Sequence, residues 1–200
     1  TGEYGDSSDK DERYWAAAQM YRATRDQKYL TALEGMTVRT GLDWSTVGDY
    51  GNIAILTMNG IDKESAVYTR AESSVIAQAD TLVKTADKTA YGAAITKYNW
   101  GSNMTIANAG NVMALAYKLT GNSEYLNGAQ KQLDYLLGTN PLGTSFVTGY
   151  GSVSPQNPHH RPSMVAGKAM KGMLVGGVNQ NLEDSAAKAY CRDNAITKRY

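Results

Sequence analysis

The 200 residues carry 20 Lys plus Arg against 19 Asp plus Glu, a net charge of +1, and 42% of them are apolar. This is a globular composition of roughly one-domain size, and it gives a nucleic-acid or anionic-membrane partner no basic footprint. The lone Cys191 excludes an internal disulfide framework, two histidines argue against a His-rich zinc centre, and no apolar run is long enough to span a bilayer.

Helical periodicity dominates the first two thirds. Asp6-Ser7-Ser8-Asp9 supplies N-cap residues, after which Tyr14, Trp15, Ala17, Ala18, Met20 and Tyr21 recur at amphipathic spacing. A break at Asp26-Gln27 precedes a second helix on Tyr29, Leu30, Leu33 and Met36. Residues 48–58 read as a third helix around Ile53, Ile55 and Leu56, and residues 65–88 as a long fourth. A fifth at 104–120 stops at Gly121-Asn122, and a sixth at 123–137 stops at Gly138. ATRDQKYL at 23–30 and LTGNSEYL at 119–126 repeat one turn pattern, which predicts helical hairpins stacked as in a solenoid or toroid. The polar opening TGEYGDSSDKDER carries no signal-peptide pattern and leaves the compartment open.

Beyond Gly138 the period is lost. Residues 138–177 are rich in glycine and proline, and Phe146, Val147, Tyr150, His159, His160 and Arg161 carry too much chemistry for a spacer. A functional loop is the reading. In SFVTGYGSVSPQNPHHRPS, residues 145–163, the Arg161 guanidinium and two imidazoles stand between Pro158 and Pro162 as a stiff hydrogen-bonding array suited to sugar hydroxyls. The alternative is a structural turn in which His159 or Arg161 caps a carbonyl. At Tyr98-Asn99-Trp100-Gly101-Ser102-Asn103, Trp100 offers a flat ring for a pyranose, or else anchors the core with Ser102 or Asn103 as N-cap. The abundance of Tyr and Trp, 14 and 3 against a single Phe, suits a wet sugar-facing surface and equally a helix-packing one. Asp11 and Glu12 fall in a first helical turn, where the dipole stabilises carboxylates, a role preferred here over a catalytic one. The glycines at 48–51 and 172–177 lack the setting and Lys of a phosphate loop, and Gly149-Tyr150-Gly151-Ser152-Val153 is not a nucleophile elbow.

DERYWAAAQMYRATRDQKYL, WGSNMTIANAGNVMALAYKLTGNSEYL, LDYLLGTNPLGTSFVTGYGSVSPQNPHHRPS and GMLVGGVNQ, in this order, resemble the C-terminal half of glycoside hydrolase family 9 over nearly the whole chain. That family comprises inverting cellulases built as an (α/α)6 toroid. The resemblance implies an all-α chain forming half of such a toroid, with residues 1–200 the C-terminal part of one catalytic domain, incomplete at both ends. It implies internal β-1,4-glucosidic hydrolysis in cellulose or related glucans, an extracellular location, and a cleft rim in which His159 and Arg161 contact the sugar beside the scissile bond. There His159 supports catalysis without acting as acid or base. Trp100 would stack on a sugar, with Tyr150 and Tyr200 nearby. The implied partners are a cello-oligosaccharide or β-glucan and the missing N-terminal half, with no nucleic acid and no membrane. No cofactor is required; family members hold structural calcium, but no Asp-x-Asp-x-Asp-Gly loop occurs here.

The departures concern the two carboxylates. The family's base Asp belongs to a DAGD motif absent from this chain, and VGDYG at 47–51 is no substitute, its neighbours matching a later helix. The acid Glu follows a Y-x-x-N-E run. Either Tyr190 is the motif tyrosine, placing Asn194 where Glu belongs, or Lys188-Ala189-Tyr190 matches an earlier segment and Tyr200 is the motif tyrosine. The second register is preferred for its spacing. The first would describe a non-catalytic carbohydrate-binding or degenerate homologue. An unrelated helical-repeat interaction protein is a third reading.

Overall fold

The computed structural model describes residues 5–182 and 185–191. The chain divides into two compact units, Thr1–Gln78 and Ala79–Tyr200. The described helices are α1 (Lys10–Thr24), α2 (Gln27–Gly35), α3 (Gly48–Leu56), α4 (Ala66–Ala86), α5 (Ser102–Thr120), α6 (Ser123–Leu137), α7 (Arg161–Ala166) and α8 (Ser185–Cys191). Among the described residues there is no strand, only an isolated antiparallel bridge between Val147 and Leu174. The predicted all-α class holds, and the first six helices fall where the periodicity set them. One expectation is corrected: α7 interrupts the stretch read as aperiodic, because His160 and Pro162 start a helix too short to show a period.

In the first unit α1 packs against α2 and α3. Tyr14, Ala17 and Ala18 are buried on α1, Leu33 on α2, and Ala54, Ile55 and Leu56 on α3. Each large apolar side chain so buried contributes about 1.5–3 kcal/mol. The α1–α3 approach is close: a Cβ at Gly51 would lie 2.7 Å from the Tyr14 ring. Polar bonds tie the 39–47 segment to this core. The Asp49 carboxylate, 2% exposed, accepts from Gly41 N, Asn52 Nδ2 and Gln78 Nε2. Asn52 Oδ1 in turn accepts the Tyr14 hydroxyl at 2.7 Å. The end of α2 is finished by Arg70 of α4, whose guanidinium donates to the carbonyls of Leu33, Glu34 and Met36 at 3.2–3.3 Å.

In the second unit α5 and α6 form a hairpin. A Cβ at Gly128 would meet Met113 Sδ at 2.6 Å, so α5 and α6 approach closely at that crossing. Gln132 is buried and saturated, accepting from Ala94 N and donating to Gly92 O and Gly128 O. Ala93, Ile95, Ile106, Tyr135, Leu136, Phe146 and Val178 share one core, which joins both helices to the segment that follows them.

The two interhelical turns share a construction. Between α1 and α2, Arg25 takes φ 60° and the Asp26 carboxylate accepts the Lys28 N–H at 3.0 Å. Between α5 and α6, Gly121 takes φ 72° and the Asn122 side chain accepts the Glu124 N–H at 3.0 Å. A left-handed residue followed by an Asx cap ends one helix and begins the next.

Candidate active site

The segment after α6 has little regular structure but is densely bonded. Asn140 Nδ2 donates to Tyr135 O and Thr144 O, turning the chain out of α6. Phe146, 1% exposed, enters the core, with its N–H on Leu136 O at 2.8 Å and its carbonyl accepting from Val175 N. Thr148, wholly buried, joins two stretches: its N–H donates to Met173 O, its carbonyl accepts from Gly172 N, and its hydroxyl accepts from Met173 N and donates to Met170 O. The far end is fastened to the start of α5. Ser102 Oγ donates to Val178 O, and Asn103 places its N–H on Gly176 O and its Nδ2 on Val175 O. Gly177 is obligatory there, since at φ +87° a Cβ would lie 2.3 Å from Asn103 Cγ. Burial raises the phenol of the neighbouring Tyr98 above its ordinary pKa, so it stays uncharged at ordinary pH.

On this frame sits α7. His160 is its N-cap; the ring Nδ1 accepts the Ser163 N–H at 3.4 Å and lies 3.0 Å from Ser163 Oγ. The turn therefore does have a capping histidine, but the residue is His160 and the group satisfied is an N–H, where His159 or Arg161 on a carbonyl was the structural alternative. His159 and Arg161, on either side of that cap, are exposed. Beside them opens a pocket of about 370 Å³ lined by Gln156, Pro158, His159, Met164 and Lys168.

Trp100 is 76% exposed, which rules out the core-anchor alternative, and it immediately precedes the α5 N-cap. That cap is Gly101 at φ 78°, so neither Ser102 nor Asn103 serves as the expected N-cap; both hold the 175–178 stretch instead. Tyr150 is 55% exposed on the turn closed by its own N–H and Val147 O. The pocket takes in His159 alone of the sequence-derived candidates; Arg161, Trp100 and Tyr150 stand outside its lining. Tyr200 and Asn194 lie outside the described residues.

The carboxylates set aside in the sequence are structural. Asp11 is 8% exposed and accepts the Val47 N–H at 2.7 Å, a longer-range task than the helix-dipole one. Asp49 has all three of its donors within the protein, which leaves it unsuited to activating a water. Among the described residues no group of three or more His, Cys, Asp or Glu is placed to hold a metal, and no helix is long and apolar enough to cross a membrane.

Thr148, Ser163 and Asn103 carry the frame and were missed by the sequence reading. Their partners stand 25, 7 and 72 residues away, and no local pattern marks a hydroxyl or amide for such a bond.

Comparison with known proteins matches residues 1–197 to the family model "Glycosyl hydrolase family 9". Endoglucanase D of Acetivibrio thermocellus is 33% identical over 186 residues, covering 88% of this chain and 30% of that protein. A cellodextrinase of Butyrivibrio fibrisolvens is 31% identical over 210 residues, covering 94% and 38%. Among solved structures, a metagenome-derived glycoside hydrolase family 9 endoglucanase superposes with a TM-score of 0.82 at 33% identity, over 93% of this chain and 35% of that one. AaCel9A in complex with cellobiose-like isofagomine gives 0.85 at 31% identity, over 100% and 39%. The chain thus spans between 30% and 39% of the length of these proteins.

Proposed function

The chain belongs to glycosyl hydrolase family 9, and on that premise we propose that it supplies one sugar-binding rim of a cleft that hydrolyses internal β-1,4-glucosidic bonds in cellulose or related glucans. The family fold is an (α/α)6 toroid, and this chain corresponds to a part of one, the C-terminal part of a single catalytic domain. Its substrate is then a β-glucan or cello-oligosaccharide, and its partner is the remainder of that domain. Because cellulose itself cannot enter a cell, action on the polymer places the work outside it.

The observation that carries this reading is the exposure of His159 and Arg161 beside an open pocket, on a loop anchored through Thr148 and Ser163. A sugar ring is bound by fixed donors and acceptors and by a flat apolar face. Arg161 offers a planar fork of N–H donors, His159 an imidazole that donates or accepts, and Trp100 an exposed indole. Tyr150 adds a phenol, and Tyr200 is assigned to the site by the family motif alone.

The chemistry asked of the whole domain is inversion. One carboxylic acid protonates the leaving glycosidic oxygen while a carboxylate takes a proton from water on the opposite ring face. The two must stand about 6.5–9.5 Å apart to admit that water. On this reading the chain binds and orients the glucan, and the acid and base are supplied by the rest of the domain. The water oxygen bonds to the anomeric carbon as the glycosidic C–O bond breaks, with no change of oxidation state, so the step calls for no redox or group-carrying cofactor.

Calorimetric titration of the full chain with cellotetraose tests the reading, with a xylo-oligosaccharide of equal length as control. Binding preferential for the glucan, weakened about tenfold by His159→Ala or by Trp100→Ala, is the expected result; a strong sugar hydrogen bond or a stacked ring is each worth about that much. Equal or absent response to the two sugars, or variants that bind as wild type, would overturn it.

A further inference from the structure

The site is reached through a motif of two adjacent histidines, yet the structure gives them opposite tasks. His159 faces the pocket. The His160 ring is turned back onto its own chain, where Nδ1 accepts the Ser163 N–H. Nδ1 thus faces Ser163 twice, its N–H at 3.4 Å and its hydroxyl at 3.0 Å. Ser163 makes this arrangement rigid. It is 4% exposed, and its hydroxyl oxygen accepts the Met170 N–H at 3.1 Å while standing 3.0 Å from His160 Nδ1 and 3.9 Å from Met173 Sδ. One buried oxygen therefore joins the start of α7 to the 170–173 stretch, which Thr148 fastens in turn.

We infer that His160 and Ser163 are a positioning pair: by closing α7 they fix the direction in which the chain presents His159 before the cap and Arg161 after it, and His160 itself makes no sugar contact. This rests on the reading of His159 and Arg161 as sugar ligands. A ring held with Nδ1 against Ser163 cannot swing toward a ligand without uncapping the helix, and uncapping frees both flanking residues at once.

The test uses the full chain and three variants. His160→Ala removes the cap and weakens cellotetraose binding about fivefold or more. His160→Asn keeps a capping oxygen at that position and holds affinity within about twofold of wild type. A fall as deep as that of His160→Ala would mean that the imidazole itself touches sugar and would overturn the pair. The second readout needs no ligand. In the amide 15N spectrum of the free chain, His160→Ala shifts the Arg161 and Ser163 signals, His160→Asn returns them toward wild type, and Ser163→Ala shifts the Met170 amide that the hydroxyl accepts. Arg161 and Ser163 unmoved by His160→Ala, or Met170 unmoved by Ser163→Ala, would overturn the pair. Should the wild type bind no sugar, the functional reading fails, and this spectrum alone decides whether the pair stands.

Discussion

The interhelical turns and the segment after α6 solve the same problem by opposite means. At Arg25-Asp26 and Gly121-Asn122 every bond that ends one helix and starts the next is made within four residues. Between residues 139 and 182 the decisive bonds run from Thr148 to Met173, from Asn103 to Val175 and from Tyr98 to Gln180. The turns are punctuation that any helical hairpin can use. The long segment is held by bonds to distant parts of its unit, and that is what allows it to carry exposed polar groups on an irregular backbone.

Substitutions that touch one style of construction and spare the other sharpen this contrast. Gly177→Ala is expected to have the largest effect. It combines a positive φ with a Cβ driven into Asn103, and it should cost about 3 kcal/mol or more in urea unfolding, together with the sugar response. Thr148→Val keeps the shape and removes the hydroxyl that serves Met170 and Met173. A loss of about 1–3 kcal/mol is expected, with amide exchange accelerated in 170–175 and not in α1–α3.

The third prediction belongs to the helical region. Burial is the main reason the Tyr14 phenol is pushed up to about 12; the Arg70 cation opposes the shift, and the Asp49 carboxylate adds to it. An unfolded tyrosine titrates near 10, so the folded state holds more protons between about pH 10 and about pH 12. The contribution is therefore complete below about pH 10 and is lost as the pH rises through 12. Melting midpoints followed across that range should fall less steeply in Tyr14→Phe than in wild type. The smallest effect is expected at Gly121→Ala, where the left-handed φ is strained but nothing lies within 4 Å of the new Cβ. About 1 kcal/mol is expected, with sugar binding untouched. If Gly121→Ala and Gly177→Ala proved equally costly, the distinction between local and long-range construction would fail.

The same distinction explains what could be read from the sequence. The first six helices and their stops were visible because caps, glycines and apolar spacing are local signals. Helix α7 was not, since six residues give less than two turns and its cap is a histidine. Trp100, His159, Arg161 and Tyr150, which the motifs singled out, are all exposed. The hydroxyls beneath them, Thr148 and Ser163, were illegible, because Ser and Thr are ordinary in loops and only the folded neighbourhood says which ones are buried. Asp11 shows the limit most clearly: a first-turn carboxylate looks complete on its own helix, yet it bonds to an amide at Val47.

Arg70 extends that lesson to the boundaries of parts. The carbonyls to which it donates lie at the end of α2, and although Leu33 O also accepts the Met36 N–H, the full stop of α2 is written largely on α4, well downstream. A graft that carried α1 and α2 elsewhere would leave this terminator behind and fray at Gly35. Lysine could not replace it, having one point charge where a planar fork spans three oxygens. Anyone trimming or shuffling this region must move α2 and α4 as a single piece.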